Sequence, residues 1–84
     1  MYVIVTGASK GIGKAIALRF AEAGHHLVIC SRDKEKLEAS ALEIKNLNPS
    51  VEVHTMAVDL SLQTGAEAFA AFCLEKGAVD ILVN

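Results

Sequence analysis

Gly7, Gly11 and Gly13 stand directly after an apolar run, Tyr2 to Thr6, and directly before apolar residues at helical spacing. Strand, glycine turn and helix in that order bring backbone N–H groups and the positive end of a helix toward an anion. Glycines permit the tight turn and the close backbone approach. The N–H groups of Gly11, Ile12 and Gly13 fall in the first helical turn, where they have no internal partner. Ser9 adds a hydroxyl, and Lys10 adds a positive charge inside the turn. This stretch is read as the holder of a dinucleotide's pyrophosphate. It is not the G-x-G-x-x-G fingerprint. Nor is it a P-loop, because Gly13-Lys14 is followed by Ala15, where a magnesium-binding hydroxyl is needed.

A second group, Ser31-Arg32-Asp33, bears on which dinucleotide fits. A fold that prefers NAD places an acid at the end of its second strand, on the ribose 2′-OH. Ser31 occupies that place and Arg32 follows. An arginine binds a 2′-phosphate through charge-assisted hydrogen bonds, and Lys10 is within reach of the same phosphate. NADP(H) is therefore expected over NAD(H). Asp33 has two readings: it caps the next helix, or it touches the ribose if the strand runs one or two residues further.

Four strands and three helices must position these groups. Tyr2 to Thr6, Leu27 to Cys30, Val51 to Val58 and Asp80 to Asn84 are expected as strands. The first two are apolar enough for a sheet covered on both faces. The early polar residues Glu52 and His54 mark the third as an edge. Helices are expected from Gly11 to about Ala23, from the Ser31–Asp33 turn to about Asn46, and from near Ser61 to Gly77. Ser31 and Asp33 are both candidates to cap the second. Their buried faces are expected at Ile12, Ile16, Phe20 and Ala23; at Leu37, Ala41, Ile44 and Leu47; and at Leu62, Ala66, Phe69, Ala70 and Cys73. Alternating strands and helices with short loops imply parallel pairing and right-handed crossovers. The class is α/β: an incomplete, doubly wound parallel sheet in three α/β/α layers, in the order 3-2-1-4. That order brings the glycine turn, Arg32, Asp59 and Asn84 to one rim, beyond the carboxyl ends of the strands.

Thr6-Gly7-Ala8-Ser9-Lys10-Gly11-Ile12-Gly13 resembles the T-G-x-x-x-G-I-G motif of the short-chain dehydrogenase/reductase family. Asp59-Leu60 stands where the family has an Asp after its third strand. Asp80-Ile81-Leu82-Val83-Asn84 resembles the opening of its D-x-L-V-N-N-A-G stretch. The resemblance implies that residues 1–84 are the N-terminal part of a single Rossmann-type NAD(P)-binding domain. It implies hydride transfer between nicotinamide and a carbonyl or alcohol substrate, in a homo-oligomer. By the same resemblance, Asp59 accepts from the adenine amino group, Leu60 covers the ring, and Asn84 lines the cofactor ribose. The Lys10 and Arg32 pair resembles that of the NADP-preferring members. A second reading of Asp59 is a carboxylate that caps the turn after it. The family's catalytic Ser and Tyr-x-x-x-Lys come later than the stretch matched here, and Tyr2 has no lysine four residues on. No catalytic residue is assigned, and this chain by itself is expected not to turn over. A non-catalytic NADP-binding sensor or scaffold is the alternative.

Composition narrows the other classes. A net charge of −2 makes no electrostatic case for nucleic acid or an anionic membrane. No apolar run approaches the roughly 18 residues of a membrane span. Met1 is followed at once by strand-like sequence rather than by a leader, so a cytoplasmic location is expected. Cys30 and Cys73 are expected as buried, reduced thiols. His25, His26 and His54 lack the companions of a metal set, and no metal is expected.

Overall fold

The computed structural model describes residues 2–77 and 80–83. Side chains alternate across each strand, and that alternation sets the layers. Strand β1 (Tyr2–Thr6) sends Val3 and Val5 into one core and Ile4 into the other. Strand β2 (His26–Ser31) divides Leu27 and Ile29 from Val28 and Cys30 in the same way. Both strands lie inside the sheet under cover on both faces, which is why their sequences read as continuous apolar runs. Strand β3 (Val53–Ala57) pairs with β2, and β4 (Ile81–Val83) pairs with β1. All pairs are parallel and the order is β3-β2-β1-β4, as expected from the alternating pattern.

Helices α1 (Gly11–Glu22) and α2 (Lys34–Leu47) pack on the Val3, Val5, Leu27 and Ile29 face. Helix α3 (Gln63–Lys76) covers Ile4, Val28 and Cys30 with Phe69 and Cys73. Leu37 and Ile44 are essentially inaccessible. Burying such side chains contributes about 1.5–3 kcal/mol each, which anchors α2 against the sheet.

The helix faces differ from expectation. On α1 the fully buried residues are Ala17 and Ala21, while Ile12 is 80% exposed and Ala23 lies past the helix end. Gly13, Ala17 and Ala21 recur every four residues and form a stripe of minimal side chains. A Cβ at Gly13 would overlap the Gly7 carbonyl oxygen and lie 2.9 Å from its carbon. The helix therefore approaches the chain through its smallest residues, and Ile16 and Phe20 sit half-buried beside them. On α2 the buried set is Leu37, Ser40 and Ile44, with Leu47 46% exposed. On α3 only Phe69 and Cys73 are buried, while Leu62 is 57% exposed and Ala66 and Ala70 are exposed along an open apolar concavity beside Ile4 and Leu82. Strand β3 is shorter than Val51 to Val58 because its pairing starts at Leu27 opposite Val53, and Val51 turns into the core instead. Asn84 lies outside the described residues.

Candidate dinucleotide site

The carboxyl ends of β1, β2 and β3 are level, with Thr6 opposite Cys30 and Ser31 opposite Ala57. The ladder continues one step beyond the strands. The Ala8 N–H donates to the Cys30 carbonyl at 3.2 Å, and the Val58 N–H donates to the Ser31 carbonyl at 2.9 Å. These bonds tie the glycine turn and the Asp59 turn to the two sides of the β2 exit. Between them opens a cleft of about 470 Å³. Gly7, Ser9, Lys10, Ser31, Arg32, Asp59 and Leu60 line it, as expected from their places after strand ends. Gly11, Ile12 and Gly13 do not line it; they form the first turn of α1 at its margin.

The glycine turn does not cap its own helix with a side chain. Gly7 and Gly11 adopt φ of +64° and +61°, which reverses the chain. Lys10 takes the N-cap place in an extended conformation, and its side chain caps nothing. Among the described residues, the first-turn N–H groups of α1 therefore have no capping side chain. The turn is held from outside: the buried Ser40 hydroxyl on α2 donates to the Ser9 carbonyl at 3.3 Å. In a trans peptide the carbonyl and the following N–H point in opposite directions. Holding the Ser9 oxygen toward α2 thus turns the Lys10 N–H away from α2.

At the β2 exit, Asp33 rather than Ser31 caps α2. Its Oδ1 accepts from the Lys36 backbone N–H at 3.1 Å. Ser31 is buried and its hydroxyl donates to the Asp33 carbonyl at 3.3 Å. Arg32 is thereby left between two anchored residues, its side chain exposed at the cleft.

Across the cleft, Asp59 Oδ1 accepts from both the Ser61 hydroxyl at 2.6 Å and the Ser61 N–H at 2.9 Å. These two bonds, the hydroxyl's first, hold its carboxyl below the usual carboxylate range, and the charge of Arg32 adds to them. The turn-capping role of Asp59 is therefore realised. It engages one carboxylate oxygen, Oδ1. Gly65 supports this turn from below, because a Cβ there would overlap the Asp59 carbonyl oxygen. The floor is Cys30, whose burial pushes the thiol up to about 11, so it is neutral at physiological pH. Burial raises the Cys73 thiol as well, and both cysteines are free.

The lining carries three cations, Lys10, Arg32 and Lys36, against two carboxylates, Asp33 and Asp59. Three residues of this arrangement escape the sequence reading. Lys36 sits inside a charged helical stretch with no mark of its own. Ser40 is in phase with Leu37 and Ile44, and that phase is the signal that it faces inward. Gly65 is an interior helical glycine, which usually has a packing reason. His26 and His54 lie at the opposite end of the sheet beside Tyr2, whose ring is 5.3 Å from that of His26. Among the described residues no group of three or more His, Cys, Asp or Glu is placed to hold a metal. Among them, too, no helix is long and apolar enough to cross a membrane.

A parallel sheet in the order β3-β2-β1-β4, with a glycine turn after β1 and a cleft beyond the carboxyl ends of β1, β2 and β3, defines a Rossmann-type fold. The sequence model described as short chain dehydrogenase matches residues 1–84, and the chain belongs to that family. Human retinol dehydrogenase 13 is 41% identical over 83 residues, covering 98% of this chain and 25% of that protein. The NADPH-dependent pterin aldehyde reductase of Arabidopsis thaliana is 39% identical over 83 residues, covering 98% of this chain and 33% of that protein. L-sorbose reductase from Gluconobacter frateurii, solved with NADPH and L-sorbose, superposes with a TM-score of 0.93 at 37% identity, over 99% of this chain and 32% of that one. The chain thus spans a quarter to a third of the length of these relatives.

Proposed function

We propose that this chain supplies the NADP(H)-binding part of a short-chain oxidoreductase, with NADP(H) preferred over NAD(H). The observation that carries the reading is the convergence of Lys10 and Arg32 on one cleft, where the small, neutral Ser31 holds the place of an NAD-type acid. The cleft fits such a group: it has cations at one side, uncapped helical N–H groups at its margin, and an apolar floor. On this reading the first turn of α1 and the Ser9 hydroxyl take the pyrophosphate. Lys10 and Arg32 take the 2′-phosphate. The free oxygen of Asp59 accepts from the adenine amino group, Leu60 covers the ring, and Asn84 belongs to the ribose. When bound, the nicotinamide supplies a hydride donor or acceptor. The substrate in the whole protein is a small carbonyl compound or alcohol, in keeping with relatives named for a pterin aldehyde and for L-sorbose.

Equilibrium titration of the full-length protein with NADPH and NADH tests this reading. Hydrogen bonds to a charged group contribute about 1.5–3 kcal/mol, so Arg32→Gln is expected to weaken NADPH by roughly tenfold or more. NADH, which has no 2′-phosphate, is expected to bind the variant as it binds the wild type. Equal losses for the two cofactors would remove the 2′-phosphate assignment.

A further inference from the structure

Lys36 is the third residue of α2, three after the Asp33 cap. In a capping box that place belongs to Glu or Gln, which reaches back to the N-cap N–H. A cation in the first turn also faces the positive end of the helix dipole. The residue therefore contradicts both local rules for a helix start, and Lys34 already adds a cation to the same turn. A local rule broken without a local gain points to a function elsewhere. Here the elsewhere is on the page: Lys36 lines the cleft together with Lys10 and Arg32.

We propose that Lys36 is the third cation of the 2′-phosphate subsite and a determinant of the choice between NADP(H) and NAD(H). The proposal rests on the reading of that cleft as a site for a 2′-phosphorylated dinucleotide. Its physical basis is the charge of the lining. Asp33 must be acidic or polar to cap α2, yet the residue lines the cleft, where its negative charge works against a phosphate dianion. Lys36 answers both needs from one residue. Its backbone N–H holds the Asp33 Oδ1 at the helix end, and its ammonium offsets the charge of that carboxylate. With Lys36 the lining has one positive charge in excess; without it, cations and carboxylates balance. A dianionic 2′-phosphate responds to that difference, and a neutral 2′-hydroxyl does not.

The test titrates full-length wild type, K36Q, K36R, K36E and R32Q with NADPH and NADH, and records the thermal midpoint of each without cofactor. K36Q is expected to weaken NADPH roughly tenfold and to leave NADH unchanged, while K36R retains NADPH. K36E is expected to lose the preference for NADPH and to raise the cofactor-free midpoint, because Glu completes the capping box. A purely structural lysine gives no such split. If R32Q loses NADPH selectively and K36Q does not, the role of Lys36 is refuted and the subsite stands. If R32Q shows no selective loss, the subsite itself falls, and the role of Lys36 falls with it.

Discussion

Gly13→Ala sets two effects of opposite sign against each other. In a helix, replacing Gly by Ala gains up to about 1 kcal/mol from propensity. At Gly13 the new methyl meets the Gly7 carbonyl oxygen and carbon and, at 3.2 Å, the Thr6 carbonyl oxygen. These are backbone atoms of the turn, and no side-chain rotation relieves the contact. Overpacking of this kind costs about 1–3 kcal/mol, and rigid neighbours put the cost at the upper end. The net expectation is a loss of about 1–2 kcal/mol, after the propensity gain of about 1 kcal/mol is subtracted. Relief requires the first turn of α1 to move away from Gly7, which also displaces the N–H groups assigned to the pyrophosphate. Both NADPH and NADH are therefore expected to bind more weakly. Urea unfolding of the full-length protein reads the stability change as a lower midpoint at unchanged slope, and cofactor titration reads the second effect. A midpoint equal to or above that of wild type, with cofactor affinity intact, would show that propensity wins and that the packing argument is wrong.

Other substitutions separate the roles of neighbouring groups. Ser40→Ala removes the hydroxyl that holds the Ser9 carbonyl; it is expected to cost about 1 kcal/mol of stability and to weaken NADPH and NADH together in a titration. Asp33→Ala is expected to lower stability by about 1 kcal/mol through loss of the cap while strengthening NADPH binding, because a carboxylate leaves the cleft; a loss in both measurements would contradict the electrostatic part. Asp59 titrates below its unfolded value, so its contribution to stability is present above the unfolded pKa and is lost as pH falls through the folded one. Ser61→Ala is expected to raise the Asp59 pKa toward the ordinary range and to shrink that contribution, as a carboxyl-carbon NMR titration would read.

The strands and their order were legible because burial on both faces leaves a plain mark: Val3 to Val5 and Leu27 to Cys30 have no polar interruption. The residues of the cleft were legible as a set because each follows a strand end, and a parallel sheet brings such ends together. The helix faces were legible only in part. Hydrophobic period marks which residues are able to be buried, whereas the distance to the sheet selects by size. Gly13, Ala17 and Ala21 face inward, and the more apolar Ile12 faces out. Ser40 was hidden because its bond partner, the Ser9 carbonyl, lies 31 residues away in sequence. Lys36 was hidden because its neighbours Lys34, Glu35 and Glu38 make it look like one more solvated charge; only the turn of α2 toward the cleft sets it apart.

The 2′-phosphate is the group on which the account depends, and its phosphorus resonance can be observed directly. A phosphate monoester takes its second ionisation near pH 6. Cations at Lys10, Arg32 and Lys36 favour the dianion and push that ionisation lower. In ³¹P NMR of NADP⁺ bound to the full-length protein, the 2′-phosphate resonance is expected to hold its dianion position well below the pH at which free NADP⁺ titrates. A bound cofactor whose 2′-phosphate titrates as it does in free solution would contradict the assignment of this cleft.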